Sequence, residues 1–184
     1  MVIKLIVFGV VTAWLCYISR VSLRMRDSHG FYRFFAFEAI VLLILLNIDE
    51  WYADAPGSPL QIIARLCLLL SLYLVIDGVR QLHFVGKSNG TRDDDTLIGF
   101  EKTTVLVTSG LYKYIRHPMY SSLFFLAWGA FFKSPSWLGG SLVLVSILFL
   151  NAAAKAEELE NIGYFGTQYR EYMKTTKRFI PFVY

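Results

Sequence analysis

Apolar residues in this chain fall in long, nearly unbroken runs, not in the one-sided stripes of a soluble amphipathic helix, and such runs predict membrane spans. A helix needs about 20 apolar residues to cross roughly 30 Å of hydrocarbon. Five stretches approach that length, near residues 2–18, 34–52, 59–78, 118–132 and 137–154. The pattern predicts an all-α integral membrane bundle of about five transmembrane helices, in which shorter spans are tolerated where neighbours bury their ends. Proline and glycine punctuate it: "DEWYADAPGSP" from Asp49 to Pro59 ends the second run, and "KSPS" at 133–136 joins the last two into a hairpin. The whole of 1–184 reads as one domain, with 1–78 a three-helix membrane scaffold and 79–184 the part that carries polar chemistry.

Composition agrees. Of 184 residues 55% are apolar, and the mean hydropathy is +0.49, too oily for an ordinary soluble domain. Val2 to Ile18 reads as a retained span and not a cleaved leader, because no small-residue cleavage site follows it. Cys16 and Cys67 lie inside apolar runs, where thiols act as small core residues and a disulfide is not expected.

The net charge of +4 changes the picture only through its distribution. The bases make no stripe interleaved with aromatics, so no nucleic acid is expected as a partner; they gather at the ends of apolar runs, as membrane topology requires. Residues 19–33 hold Arg20, Arg24, Arg26 and Arg33, whereas 49–58 hold three acids and no base. Six bases lie in 80–116 and five after Asn151. The positive excess belongs on the cytoplasmic side, which predicts an outside N-terminus, a cytoplasmic C-terminus and an odd number of crossings. Segments 19–33, 79–117 and 155–184 then share the cytoplasmic face, and any polar active site is expected there.

Pro118 suits the first turn of a helix, since the N–H it lacks would be unpaired there, and His117 then sits at the cap. The fourth helix therefore aims its unpaired amides and positive dipole end at whatever lies beside His117 and Tyr120, a place that favours an anionic group. Counting back along the fifth helix puts the level of Pro118 near residue 152, so Glu157 and Glu158 lie about 8 Å further on. The fifth helix should project past the start of the fourth, making one wall of a pocket with 79–117 as its lid.

"LVTSGLYKYIRHPMY" and "AEELENIGYFGTQYREYMKTTKRFIP" together resemble the isoprenylcysteine carboxyl methyltransferase family and related membrane methyltransferases. Gly110, Tyr112, Arg116, His117, Pro118 and Tyr120 meet the family's G-x-Y-x-x-x-R-H-P-x-Y pattern. Its later E-E, F-G-x-x-Y-x-x-Y and R-x-x-P elements are met by Glu157, Glu158, Phe165, Gly166, Tyr169, Tyr172, Arg178 and Pro181. The resemblance covers residues 104–184; the first three helices match in hydrophobic character alone. It implies an S-adenosylmethionine-dependent methyltransferase with a cytoplasm-facing cofactor pocket, a lipophilic or lipid-modified substrate arriving from the bilayer, membrane lipids as surroundings and no metal.

Carried over by position, cofactor contacts fall on Thr104, Val105, Leu106, Val107, Tyr112, His117, Pro118, Met119, Tyr120 and Glu157, with Arg116 and His117 as alignment residues at the reacting centre. Those residue types suit the ligand: a sulfonium with a zwitterionic tail and a ribose calls for a carboxylate, hydrogen-bond donors and aromatic faces. Two family positions differ. An Arg that precedes the cofactor-contacting Glu by four residues is Ala153 here, with Lys155 about 200° away around the helix, and an upstream Gln is Leu97.

Methyl transfer from a sulfonium is an in-line displacement that needs alignment and exclusion of water more than a base. Carboxyl O-methylation of an isoprenylcysteine-like acceptor therefore leads, with phospholipid N-methylation or thiol S-methylation as alternatives. A non-catalytic membrane scaffold and a nicotinamide-dependent membrane reductase are readings from other classes. Elsewhere, Glu158 is expected to face water, Tyr114 to sit in an interfacial belt, Asp77 and Arg65 to point into the bundle or snorkel, and Phe165, Tyr169 and Tyr172 to pack a surface helix against the rest.

Overall fold

A computed structural model of the protein describes residues 2–51, 58–87, 97 and 99–181. Among the described residues six helices follow in chain order: α1 (Val2–Ile18), α2 (His29–Asn47), α3 (Pro59–Phe84), α4 (Pro118–Lys133), α5 (Trp137–Phe165) and α6 (Thr167–Thr175). Short 3-10 turns stand at Ser22–Arg24, Ile48–Trp51, Gly99–Glu101 and Gly110–Lys113. The all-α membrane bundle expected from the apolar runs is the fold. The acidic run at Asp93–Asp95 lies outside the described residues.

Helix ends depart from the hydrophobic pattern for identifiable reasons. α2 begins five residues earlier than expected, because the Ser28 side chain caps it by accepting from Phe31 N. His29 and Arg33 thereby become buried members of its first turns and not parts of a basic loop. α3 runs on to Phe84 and carries Asp77 and Arg80 with it. α5 continues to Phe165, where Gly166 at φ 61° ends it with a backbone that side chains rarely adopt. Its inner end thus projects well beyond the apolar stretch at 137–154.

Three of these helices, α2, α3 and α5, are long and apolar enough to cross a membrane, where the pattern had suggested five. α1 has 17 residues and α4 has 16, and 16 residues span only about 24 Å. α4 is instead enclosed by its neighbours. Asn47 Nδ2 donates to Ala130 O at 2.8 Å and Gln61 Nε2 to Lys133 O at 3.0 Å, which satisfies carbonyls at its C-terminal end from α2 and α3.

Packing pairs α3 with α4 and α2 with α5, with α4 also against α2 and α5. Small residues allow the close approach: a Cβ on Gly129 of α4 would fall 2.8 Å from Leu68 and 3.2 Å from the Ala64 carbonyl on α3. Ala127, Ala130, Leu43, Ile40 and Val143 fill one core cluster. Ala36, Ala153, Ala154, Leu150, Tyr120 and Phe179 fill a second, nearer the projecting end of α5. α1 lies against α2, where Thr12 Oγ1 donates to Glu38 Oε2 at 2.8 Å.

Candidate functional site

The start of α4 is built against the C-terminal segment. Arg116 N donates to Lys177 O at 2.8 Å, His117 N to Arg178 O at 3.1 Å, and Lys177 N to Tyr114 O at 3.0 Å, so 114–117 and 177–178 run side by side. Ser121 Oγ donates to Phe179 O at 2.8 Å, and Tyr172 Oη of α6 holds the Gly110–Lys113 turn by donating to Tyr112 O at 2.7 Å. Gly110, at φ 58°, presses on Gln81 so closely that a Cβ would lie 2.3 Å from Nε2. These contacts give His117 a fixed backbone at the helix cap with Pro118 in the first turn, as its sequence expects.

Glu158 anchors the arrangement. It is buried and accepts from Arg116 Nε at 2.9 Å, from Arg178 Nε at 3.1 Å and from Arg178 Nη2 at 2.7 Å. Arg178 also donates to Asn151 Oδ1, and Arg116 Nη1 to the carbonyls of Met173 and Thr176. The expectation that Glu158 faces water is overturned: one α5 carboxylate joins the R-H-P turn to the terminal R-x-x-P segment. Charge-assisted, nearly dry bonds of this kind are the strong ones.

Beside the anchor opens a cavity between the start of α4, α5 and α6. Of the site residues expected from sequence, Leu106, Val107, Tyr112, Arg116, His117, Met119, Tyr120 and Glu157 line it. Thr104, Val105 and Pro118 do not. The backbone N–H groups of Thr104 and Val105 both donate to Gly86 O, docking that stretch on the end of α3 with Val105 41% exposed, while Pro118 is buried inside the helix start.

His117 and Tyr120 stack with ring centroids 5.4 Å apart. His117 Nδ1 stands 3.7 Å from Glu157 Oε1, and Nε2 stands 3.4 Å from Glu158 Oε1 without making a hydrogen bond. Among the described residues neither His117 Nε2 nor Tyr120 Oη finds a hydrogen-bond partner, although both are buried.

The aromatic residues of the inner end also differ from expectation. Phe165, Tyr169 and Tyr172 pack α6 onto the bundle and line the cavity as well. Burial pushes the Tyr112, Tyr169 and Tyr172 hydroxyls well up from the usual tyrosine value; the Glu157 charge adds to this at Tyr112 and Tyr169. They remain neutral donors at any physiological pH. Tyr114 is exposed, consistent with an interfacial position, and Asp77 is not among the lining residues.

Glu101 and Asn161 line the cavity too, and sequence reading passed over both. Arg33 pairs with Glu101, and His29 Nε2 lies 3.7 Å from Glu101 Oε2. His29 donates from N to Glu160 Oε1 at 2.9 Å and from Nδ1 to Glu160 Oε2 at 2.5 Å, since a carboxylate can only accept. Burial alone would raise the Glu101 carboxyl, but the Arg33 charge and the adjacent His29 outweigh it and hold the group down at about 2. Helical spacing was the available signal: Glu157, Glu160 and Asn161 share one face of α5, as His29 and Arg33 share one face of α2.

Comparison with known proteins bears on this geometry. A family model described as phospholipid methyltransferase matches residues 60–160, which span α3, α4 and most of α5. The chain belongs to the phospholipid methyltransferase family. It is also 34% identical over 82 residues to human protein-S-isoprenylcysteine O-methyltransferase, a match covering 44% of this chain and 29% of that one. The Xenopus laevis protein of the same name is 36% identical over 80 residues, 42% of this chain and 27% of the relative. For the Schizosaccharomyces pombe protein the figures are 32% over 83 residues, 45% and 35%. The chain thus spans about a third or less of the curated relatives it matches. No solved structure matches it.

Proposed function

We propose that the protein is an integral-membrane methyltransferase that uses S-adenosylmethionine at the cavity between α4, α5 and α6 and acts on a small lipophilic or lipid-modified acceptor. The observation that carries the reading is the meeting of His117, Tyr120 and Glu157 at one cavity, with the His117 and Tyr120 rings stacked and His117 Nδ1 3.7 Å from Glu157. The donor set fits the cofactor: carboxylates for its cationic groups, neutral hydroxyls for its carboxylate and ribose, and aromatic faces beside its sulfur. When bound, the cofactor supplies an electrophilic methyl group on a sulfonium. The chain's own residues bind and orient it, keep water out, and leave the acceptor a path along the reaction axis.

In this reading Glu157, Tyr112, Tyr120, Leu106, Val107 and Met119 hold the cofactor, His117 orders the floor beneath it, and Arg116 acts through Glu158 by fixing the start of α4. The cavity faces the cytoplasm, with the N-terminus outside, as the positive-inside count requires. Carboxyl O-methylation of an isoprenylcysteine-like acceptor is the lead reaction, in keeping with the names of the similar proteins.

One observation favours a second acceptor class. Ala153 is fully buried and packed with Ala36 of α2, and Arg116, the sole Lys or Arg among the described lining residues, is engaged by Glu158. A carboxylate acceptor finds no uncommitted cation there, which suits a lipid amine or a thiol. Membranes containing the protein, incubated with methyl-labelled S-adenosylmethionine and separate carboxylate, amine and thiol acceptors, are expected to label one class. Absence of label across the panel, together with no cofactor binding by calorimetry, would remove the methyltransferase reading in favour of a scaffold role.

A further inference from the structure

Two carboxylates line the cavity, and the motif accounts for one of them. Glu157 belongs to the E-E pair; Glu101 comes from the 3-10 turn Gly99–Glu101, ahead of the Thr104–Val107 stretch. Two buried side chains of α2 hold it. Arg33 pairs with its Oε1, and the His29 imidazole, secured on its far nitrogen by Glu160, stands 3.7 Å from Oε2. Burying an arginine and a histidine against one acid carries a desolvation penalty of several kcal/mol per ion that only good pairing offsets. An acid that merely closed a loop would not need that support.

The surroundings indicate what such an acid meets. Tyr120 and His117 line the same cavity, and both are buried. Arg116 is matched by Glu158 and Glu101 by Arg33 behind the wall, yet the described lining itself presents two carboxylates, Glu101 and Glu157, against one guanidinium, so it is acidic at close range. A lining of that sign attracts a cation and repels an anion.

We propose that Glu101 is a second cation-facing carboxylate of the methyl-donor site, with Arg33 and His29 as its positioning residues, so that α2 is part of the site. The inference rests on the methyl-donor reading above. S-adenosylmethionine differs from its product, S-adenosylhomocysteine, by one methyl group and one positive charge, so this carboxylate separates donor from product and favours exchange of one for the other after each turnover.

Calorimetric titration of the full chain in detergent with both compounds tests it. Glu101→Gln is expected to weaken S-adenosylmethionine about tenfold, as for a lost charge contact of about 1.4 kcal/mol, and S-adenosylhomocysteine less than threefold. Arg33→Gln should lower the same ratio by a smaller factor, and the double variant should bind no worse than Glu101→Gln alone, since Arg33 acts through Glu101. Glu101→Asp, which keeps the charge, should restore most of the preference. Equal weakening of both compounds by Glu101→Gln, or fold losses that simply multiply in the double variant, overturns the proposal. If Glu101→Gln does not fold, judged by its melt, an unchanged ratio in Arg33→Gln overturns it instead. A parent that binds neither compound removes the methyl-donor reading itself; a parent that binds both, with a ratio indifferent to Glu101, removes only this role.

Discussion

Glu157 and Glu158 are neighbours in sequence and opposites in the fold. Glu158 has every oxygen engaged, between two arginines that reach it from the turn ahead of α4 and from the C-terminal segment. Glu157, about 100° around the helix, faces the cavity and has no arginine or lysine partner among the described residues. The first region is saturated and dry, the second is incomplete. Saturated polar networks hold structure, and incomplete ones await a ligand, so chemistry belongs on the Glu157 side and stability on the Glu158 side.

The hardest test of that division is Glu158→Ala. Removing the buried acid leaves the half-buried Arg116 and Arg178 without their main partner, and breaking such a pair from one side costs about 3–5 kcal/mol. The melting temperature of the detergent-solubilised protein should fall by roughly 6–20 °C, with cofactor binding lost alongside. A variant that melts with the parent would dissolve the distinction between the two acids.

Acid sharpens the comparison at a third carboxylate. Glu101 has its folded pKa depressed to about 2 from 4.5, so its contribution is fully present above pH 4.5 and is lost as pH falls from 4.5 toward 2. The difference of 2.5 units corresponds to about 3 kcal/mol at most. Melting curves collected from pH 6 to pH 3 should show a fall that Arg33→Gln flattens; equal slopes in the two proteins would mean the pairing does not stabilise the fold.

Much of this was legible from residues alone. The apolar runs located the helices, Pro118 located the start of α4, and the R-H-P and E-E spacings located the cavity. What escaped was long-range partnership. Nothing near Glu158 says that Arg178, 20 residues on, folds back to reach it, and nothing near Glu101 says that Arg33, 68 residues earlier, holds it. Apolar runs also mark where helices meet lipid and not where they end: Ser28 and Gly166 set the ends of α2 and α5 by local backbone chemistry, which carried His29, Arg33, Glu160 and Asn161 into the site.

Glu157→Gln should invert the result for its neighbour. Glu157 has no salt bridge to a lysine or arginine among the described residues, and its charge sits at a cavity wall. The melt should therefore stay within about 1 kcal/mol of the parent, as for a substitution that breaks no buried network. Affinity for S-adenosylmethionine should drop about tenfold, as for loss of a charge-assisted hydrogen bond. A large drop in stability with unchanged affinity would place Glu157 with the structural set.

The smallest effect is the most discriminating. Tyr120 Oη is buried at the cavity beside Glu157 and makes no close hydrogen bond among the described residues, so in the empty protein the hydroxyl contributes little bonding against its desolvation penalty. Tyr120→Phe removes the penalty and keeps the ring stacked on His117. The empty protein should melt at the parent temperature or up to about 1 kcal/mol above it, while affinity for the methyl donor falls about three- to tenfold, the range of one net hydrogen bond. Opposite signs in stability and binding are what a hydroxyl reserved for a ligand must give. If the phenylalanine variant instead melts lower and binds as well as the parent, the hydroxyl belongs to the structure, and the incomplete wall that separates the Glu157 side from the Glu158 side loses one of its two supports.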